Sequence, residues 1–113
     1  MHQSLLNHRA EIAGLCERFG IARLGVFGSA TSDTFDPATS DIDVIIDFTD
    51  FGRRKAFDNY FGLKEALAFL LGRPVDLVTR ASIANPVFMR EVEATTEVIY
   101  TQGLNHAAKT SAN

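Results

Sequence analysis

Only one cysteine, Cys16, occurs among the 113 residues. A lone thiol excludes an internal disulfide and any paired-cysteine metal or redox motif. Ile12, Leu15 and Phe19 surround it at helical spacing, so Cys16 is expected to pack in a core rather than to do chemistry. No apolar run approaches the ~20 residues that a membrane span needs. The opening MHQSLLNHRAEIAG is broken by His, Asn, Arg and Glu where a secretory signal keeps a continuous apolar segment. A cytoplasmic protein is the expectation from these two absences. Basic residues are also too few for a nucleic-acid face: 11 Lys and Arg stand against 14 Asp and Glu, a net charge of −3, and the acids concentrate between Asp33 and Asp58. His2, His8 and His106 have no ligand spacing, and neither a repeat nor a low-complexity stretch is present.

What remains is a chain with 46% apolar residues, enough for one core and too short for a catalytic domain plus a separate substrate domain. One domain is expected over residues 1–101, with a mobile polar tail at 102–113. Leu5, Leu6, Ile12, Leu15, Cys16 and Phe19 predict a first helix over about 3–19, stopped at Gly20. Next, ARLGVFGS reads as a strand running into a glycine turn, and Thr31 to Ser40 as a loop, opening with a turn of helix at Ser29. DIDVIIDF reads as the central strand. A polar link at 49–54, with Arg53, Arg54 and Lys55 at a solvated turn, leads to a second helix ending at Gly72. Within that helix Gly62 costs about 1 kcal/mol against Ala, and Phe57, Tyr60, Phe61 and Phe69 read mainly as core, with too many aromatics for one face, so that another chain is expected to cover some of them. RPVDLVT is a short strand. Asn85 and Pro86 cap and open a short helix through about Ala94, and EVIYT is a last strand. Strands separated by helices make an α/β (α+β) fold, and the short first connection predicts a small mixed sheet with helices packed against it.

Side chains alternate along a strand, so Asp41, Asp43, Ile45 and Asp47 share one face of DIDVIIDF while Ile42, Val44, Ile46 and Phe48 share the other. Two carboxylates one residue apart repel each other unless a cation lies between them. Mg²⁺ suits such a pair, because it is commonly held by one or two carboxylates and completed by substrate phosphates. The Gly28-Ser29 turn would let backbone N–H groups approach a phosphate closely. A third carboxylate, Asp76, stands inside an apolar strand, where it could bridge a metal or accept the proton of an attacking hydroxyl. Asp47, at the far end of its strand, reads better as solvent-facing or salt-bridged than as a ligand, and Asp33 and Asp36 as loop acids. For Asp76 the plainer reading is an exposed acid, or one paired with Arg73 or Arg80.

The segments FGSATSDTFDPATSDIDVIIDF and LKEALAFLLGRPVDLVT resemble the minimal nucleotidyltransferases of the DNA polymerase β superfamily, over about residues 3–101. The resemblance implies a polymerase β-like nucleotidyltransferase fold with Asp41, Asp43 and Asp76 as catalytic and metal-binding residues for two Mg²⁺ ions. It places Gly28, Ser29 and Ser40 against the nucleotide, ATP or another nucleoside triphosphate. The implied reaction moves a nucleoside monophosphate, AMP from ATP, onto an acceptor hydroxyl. Relatives of this kind often act as the antitoxin beside a HEPN-domain ribonuclease toxin and are associated with adenylylating it on a tyrosine. A HEPN-domain partner, or a second copy of the chain, would supply what one small domain lacks. The family commonly continues Gly-Ser-x-Ala-Arg-Gly, whereas here Gly28-Ser29-Ala30-Thr31-Ser32-Asp33 puts an acid near the position of the arginine and glycine. Like charge beside a triphosphate weakens binding. Two further readings therefore stand beside the enzyme: an antitoxin that neutralises its HEPN partner by binding alone, and a small nucleotide- or metal-sensing domain.

Overall fold

The computed structural model describes residues 3–28 and 41–102. Ser29, Ser40, the loop acids Asp33 and Asp36, His2, His106 and the tail beyond residue 102 lie outside the described residues. The elements run α1 (Gln3–Asn7), α2 (Arg9–Arg18), β1 (Ile21–Phe27), β2 (Ile42–Phe48), α3 (Asp50–Arg53), α4 (Ala56–Leu71), β3 (Val75–Thr79), α5 (Pro86–Thr95) and β4 (Glu97–Thr101). The four strands form one sheet in the order β3-β2-β1-β4. β1 runs antiparallel to both β2 and β4, while β2 and β3 are parallel. The parallel pair is the one joined through a long helix, as a crossover requires, and the mixed sheet matches the expectation.

One face of the sheet carries the main core. Ile42, Val44 and Ile46 of β2, Leu24 and Val26 of β1, and Val75 and Leu77 of β3 pack with Ile12 and Cys16 of α2 and Leu63 and Leu67 of α4. Each such fully buried side chain contributes roughly 1.5–3 kcal/mol, which is what fixes the alternation of β2: slipping it by one residue would drive its acids into this core. Burial, and after it the Glu17 carboxylate, pushes the Cys16 thiol up to about 12, so it stays protonated and inert at neutral pH. A smaller cluster of Phe27, Ile45 and Val92, flanked by Val78 and Ile83, lies on the other face. α5 thus covers part of the face that bears the acids.

Several local expectations change. The first helix breaks at His8 into α1 and α2. The polar link contains the one-turn helix α3, capped by Thr49, whose Oγ1 accepts from the Gly52 N–H at 2.9 Å. The Arg53-Arg54-Lys55 turn is exposed as expected, with Arg53 paired to Asp50 at 2.7 Å. Asn85 caps α5 as expected, its side-chain oxygen accepting from the N–H groups of Val87 (2.8 Å) and Phe88 (3.3 Å). Phe57 and Phe69 are not core residues: they are 75% and 91% exposed, because the buried stripe of α4 runs through Tyr60, Leu63, Leu67 and Leu71 instead. Gly62 has a packing reason, since a Cβ there would lie 2.6 Å from Cε1 of the Phe19 ring. Among the described residues, no helix is long and apolar enough to cross a membrane.

Candidate active site

The parallel register of β2 and β3 sets Asp43 directly beside Asp76, two strand neighbours on the same face. Adjacent strands are about 4.8 Å apart, so the two carboxylates are close although 33 positions separate them in sequence. Asp41 precedes β2 and is exposed, as is Asp76, while Asp43 is half-buried. Asp43 is accordingly held above the usual carboxylate range, first by its burial, then by the charge of Asp76, then by that of Asp41. Across the sheet Asp43 pairs with Phe27, the residue before Gly28.

Gly28 has a φ of +70°, and a Cβ on it would lie 2.8 Å from Asp43 Oδ2. Only glycine both adopts that backbone comfortably and leaves room for the carboxylate. The turn and the acid therefore share one small space. α5 reaches the same place from the other side: the Gly28 N–H donates to Thr95 Oγ1 at 3.3 Å. Gly28, Asp41, Asp43 and Asp76 are thus gathered at one end of the sheet, whereas Ser29 and Ser40 lie outside the described residues. Asp47 belongs to another arrangement, receiving a bond from Arg80 Nε at 3.2 Å while the same guanidinium binds Glu93 of α5. That pairing agrees with reading Asp47 as salt-bridged, and Arg80 is engaged there. His8 pairs with Glu11 at 3.2 Å and stands apart from the acids.

Among the described residues, no group of three or more His, Cys, Asp and Glu lies close enough together to hold a metal ion. The donor chemistry nevertheless fits a hard divalent cation. Three carboxylates stand at one end of the sheet without closing into a cluster, the charges of Asp76 and Asp41 act on Asp43, and a cation between them would offset that repulsion.

A family model described as a nucleotidyltransferase domain matches residues 12–100, a span that includes Gly28 and all three acids. The chain is a member of the nucleotidyltransferase family. The protein adenylyltransferase MntA of Thermococcus cleftensis is 34% identical to this nucleotidyltransferase over 91 residues, which are 78% of this chain and 85% of that one. A solved structure assigned as a minimal nucleotidyltransferase superposes with a TM-score of 0.71 at 29% identity, covering 84% of this chain and 92% of the other. The fold also matches that of a structure described as a tri-AMPylated Shewanella oneidensis HEPN toxin in complex with MNT antitoxin, with a TM-score of 0.58 at 21% identity, over 97% of this chain and 85% of that one.

Sequence reasoning did not reach Thr95, which is 67 positions from Gly28 and offers no pattern of its own. It also treated Phe61 only as one of several core aromatics and gave Lys64 no role. Both line a groove of about 640 Å³ together with Asp41 and Asp76.

Proposed function

We propose that this nucleotidyltransferase moves AMP from ATP onto a hydroxyl of a partner protein, within a toxin–antitoxin pair whose toxin is a HEPN-domain protein. The observation that carries the reading is Asp43 placed beside Asp76 in parallel register, half-buried and raised in pKa, against the Gly28 turn. The MntA relative and the HEPN–MNT structure support the choice of AMP and of a protein acceptor. Residues 1–101 act as a single domain, in the cytoplasm. Asp41, Asp43 and Asp76 would hold Mg²⁺, which when bound supplies charge neutralisation for the triphosphate and for the carboxylates themselves. Gly28, with Ser29 and Ser40, positions the triphosphate, the positive φ of Gly28 letting the main chain approach it closely. Asp76, exposed at the edge of the site, takes the proton of the acceptor hydroxyl. The new oxygen–phosphorus bond forms at the α-phosphorus while the bond to the bridging oxygen breaks, and pyrophosphate leaves.

The test is incubation of the protein with α-labelled ATP, Mg²⁺ and the HEPN-domain protein encoded beside it, comparing wild type with Asp41→Asn/Asp43→Asn. Label on the partner with wild type alone is the expected result. A stable complex that never carries label would overturn transfer and leave the second reading, neutralisation by binding. That second reading draws on Asp33 lying near the place where the Gly-Ser-x-Ala-Arg-Gly pattern of the resembled family has its arginine and glycine, and on the exposed rings of Phe51, Phe57 and Phe69.

A further inference from the structure

We infer that Thr95, at the end of α5, is a positioning residue for the nucleoside triphosphate: its hydroxyl holds the Gly28 turn in place beside Asp43. This inference rests on the nucleotidyl-transfer reading above and adds a residue from a part of the chain that holds neither the acids nor the glycine turn.

The strand register brings Thr95 to the turn. β1 and β4 are antiparallel, with Gly25 opposite Val98 and Val26 opposite Glu97. Continued by two residues, that pairing sets Gly28 opposite Thr95, just beyond the last rung of the ladder. A side chain takes over there from the backbone: the Gly28 N–H donates to Thr95 Oγ1 at 3.3 Å. The elements meet closely, since a Cβ on Gly25 would lie 2.7 Å from Cγ2 of Thr96, so the junction of α5 and β4 sits directly on β1.

The Thr95 hydroxyl is held as an acceptor. Its one proton is directed back at the helix, toward the carbonyl oxygens of Glu91 at 3.2 Å and Val92 at 3.3 Å, which leaves its lone pairs for the Gly28 N–H. The helix is itself anchored, because Val92 is 1% exposed and packs with Phe27 and Ile45. Thr95 therefore passes the position of α5 to the main chain at Gly28. Packing alone leaves that position loose: a cavity of about 470 Å³ borders the turn, lined among others by Phe27, Gly28, Phe88 and Thr95, so Gly28 has room to move on that side. On the other side stands Asp43, whose Oδ2 would be 2.8 Å from a Cβ on Gly28. A turn that drifted into the cavity would carry its main-chain groups away from the acids, and a triphosphate held by both would lose one grip. Since that grip acts alike before and during transfer, loss of the tie weakens nucleotide binding rather than the chemical step.

Three variants test the role: Thr95→Val, which removes the hydroxyl at nearly constant shape, Thr95→Ser, which keeps it, and Thr96→Val. Thr96 Oγ1 donates to the Val92 carbonyl at 2.6 Å, so Thr96→Val deletes a hydroxyl that braces the same helix end but faces the helix rather than the turn. The first readout is hydrogen exchange of the Gly28 amide in the protein alone, expected to be faster in Thr95→Val and unchanged in Thr95→Ser and Thr96→Val. The second is calorimetric titration of a non-hydrolysable ATP analogue with Mg²⁺, together with the kinetics of AMP transfer to the partner protein. Thr95→Val should raise both Kd for the analogue and KM for ATP about three- to ten-fold with kcat within two-fold, whereas Thr95→Ser and Thr96→Val should stay within two-fold of wild type throughout. Wild-type affinity in Thr95→Val would overturn the assignment. So would an equal loss in Thr96→Val, which would make the effect one of helix-end stability, or failure of Thr95→Ser to restore binding, which would give it to the methyl group. Absence of Mg²⁺-dependent analogue binding and of transfer by wild type would refute the parent reading, and a Gly28 amide still protected by Thr95 would then mark the bond as purely structural.

Discussion

Gly28→Ala is the substitution that asks whether the glycine turn and the Asp43 carboxylate occupy one site. Two separable costs are expected. The first is backbone strain: alanine at a φ of +70° loses roughly 1–2 kcal/mol relative to glycine. Gly72 measures that cost by itself, because it has a φ of +69° and nothing within 4 Å of an added Cβ. The second is contact: the new Cβ at Gly28 would stand 2.8 Å from Asp43 Oδ2, about 0.6 Å inside ordinary carbon–oxygen contact, so the carboxylate must leave its rotamer at a cost of about 0.5–1.5 kcal/mol. Urea denaturation of Gly28→Ala, Gly72→Ala, Asp43→Ala and Gly28→Ala/Asp43→Ala supplies the cycle. Gly28→Ala should lose more stability than Gly72→Ala by about 0.5–1.5 kcal/mol, and the excess should vanish when Asp43 is already alanine. Equal losses for the two glycines, with the double mutant additive to within about 0.5 kcal/mol, would refute the shared site.

Asp43 also predicts a pH dependence. Its folded pKa is raised by burial, by Asp76 and by Asp41, so the folded chain binds this proton more tightly than the unfolded one. The resulting stability is present at pH values below the ordinary Asp range and is lost as pH rises through the raised value. Without Mg²⁺, Asp43→Asn should therefore gain on wild type between pH 3 and pH 7 in denaturant midpoint; a constant difference would contradict the repulsion. Gly62→Ala should fail to stabilise: a helix-propensity gain of about 1 kcal/mol is opposed by overlap with the Phe19 ring costing about 1–3 kcal/mol, and a rise in Tm would show that the ring yields freely. Asn85→Ala should lose about 1 kcal/mol by removing the cap of α5, again read from the denaturant midpoint.

The pattern of β2 was legible because period-two alternation is a property of a few adjacent residues. Ile42, Val44 and Ile46 are each at most 2% exposed, and Asp41 and Asp43 follow from them. The break at His8 was not legible, since Leu5 and Ile12 are seven apart and face the same core whether or not the helix is continuous. In α4 the excess of phenylalanine hid the buried stripe: counting apolar residues could not decide between the face of Leu63 and Leu67 and the face of Phe61 and Phe69. Which strands are neighbours was the larger gap. Asp76 meets Asp43 only because β3 runs parallel to β2 in one register, and nothing local to either segment specifies that. The same holds for Arg80, which bridges Asp47 and Glu93 from three separate stretches of chain, and for Thr95 against Gly28.

The central claim, that three carboxylates and a glycine turn together hold a metal–triphosphate, is tested most directly by calorimetric titration of a non-hydrolysable ATP analogue into wild type and Asp41→Asn/Asp43→Asn, with and without Mg²⁺. Binding by wild type that requires Mg²⁺ and disappears in the variant is the predicted result. Binding that persists without Mg²⁺, or that survives loss of both carboxylates, would contradict the account.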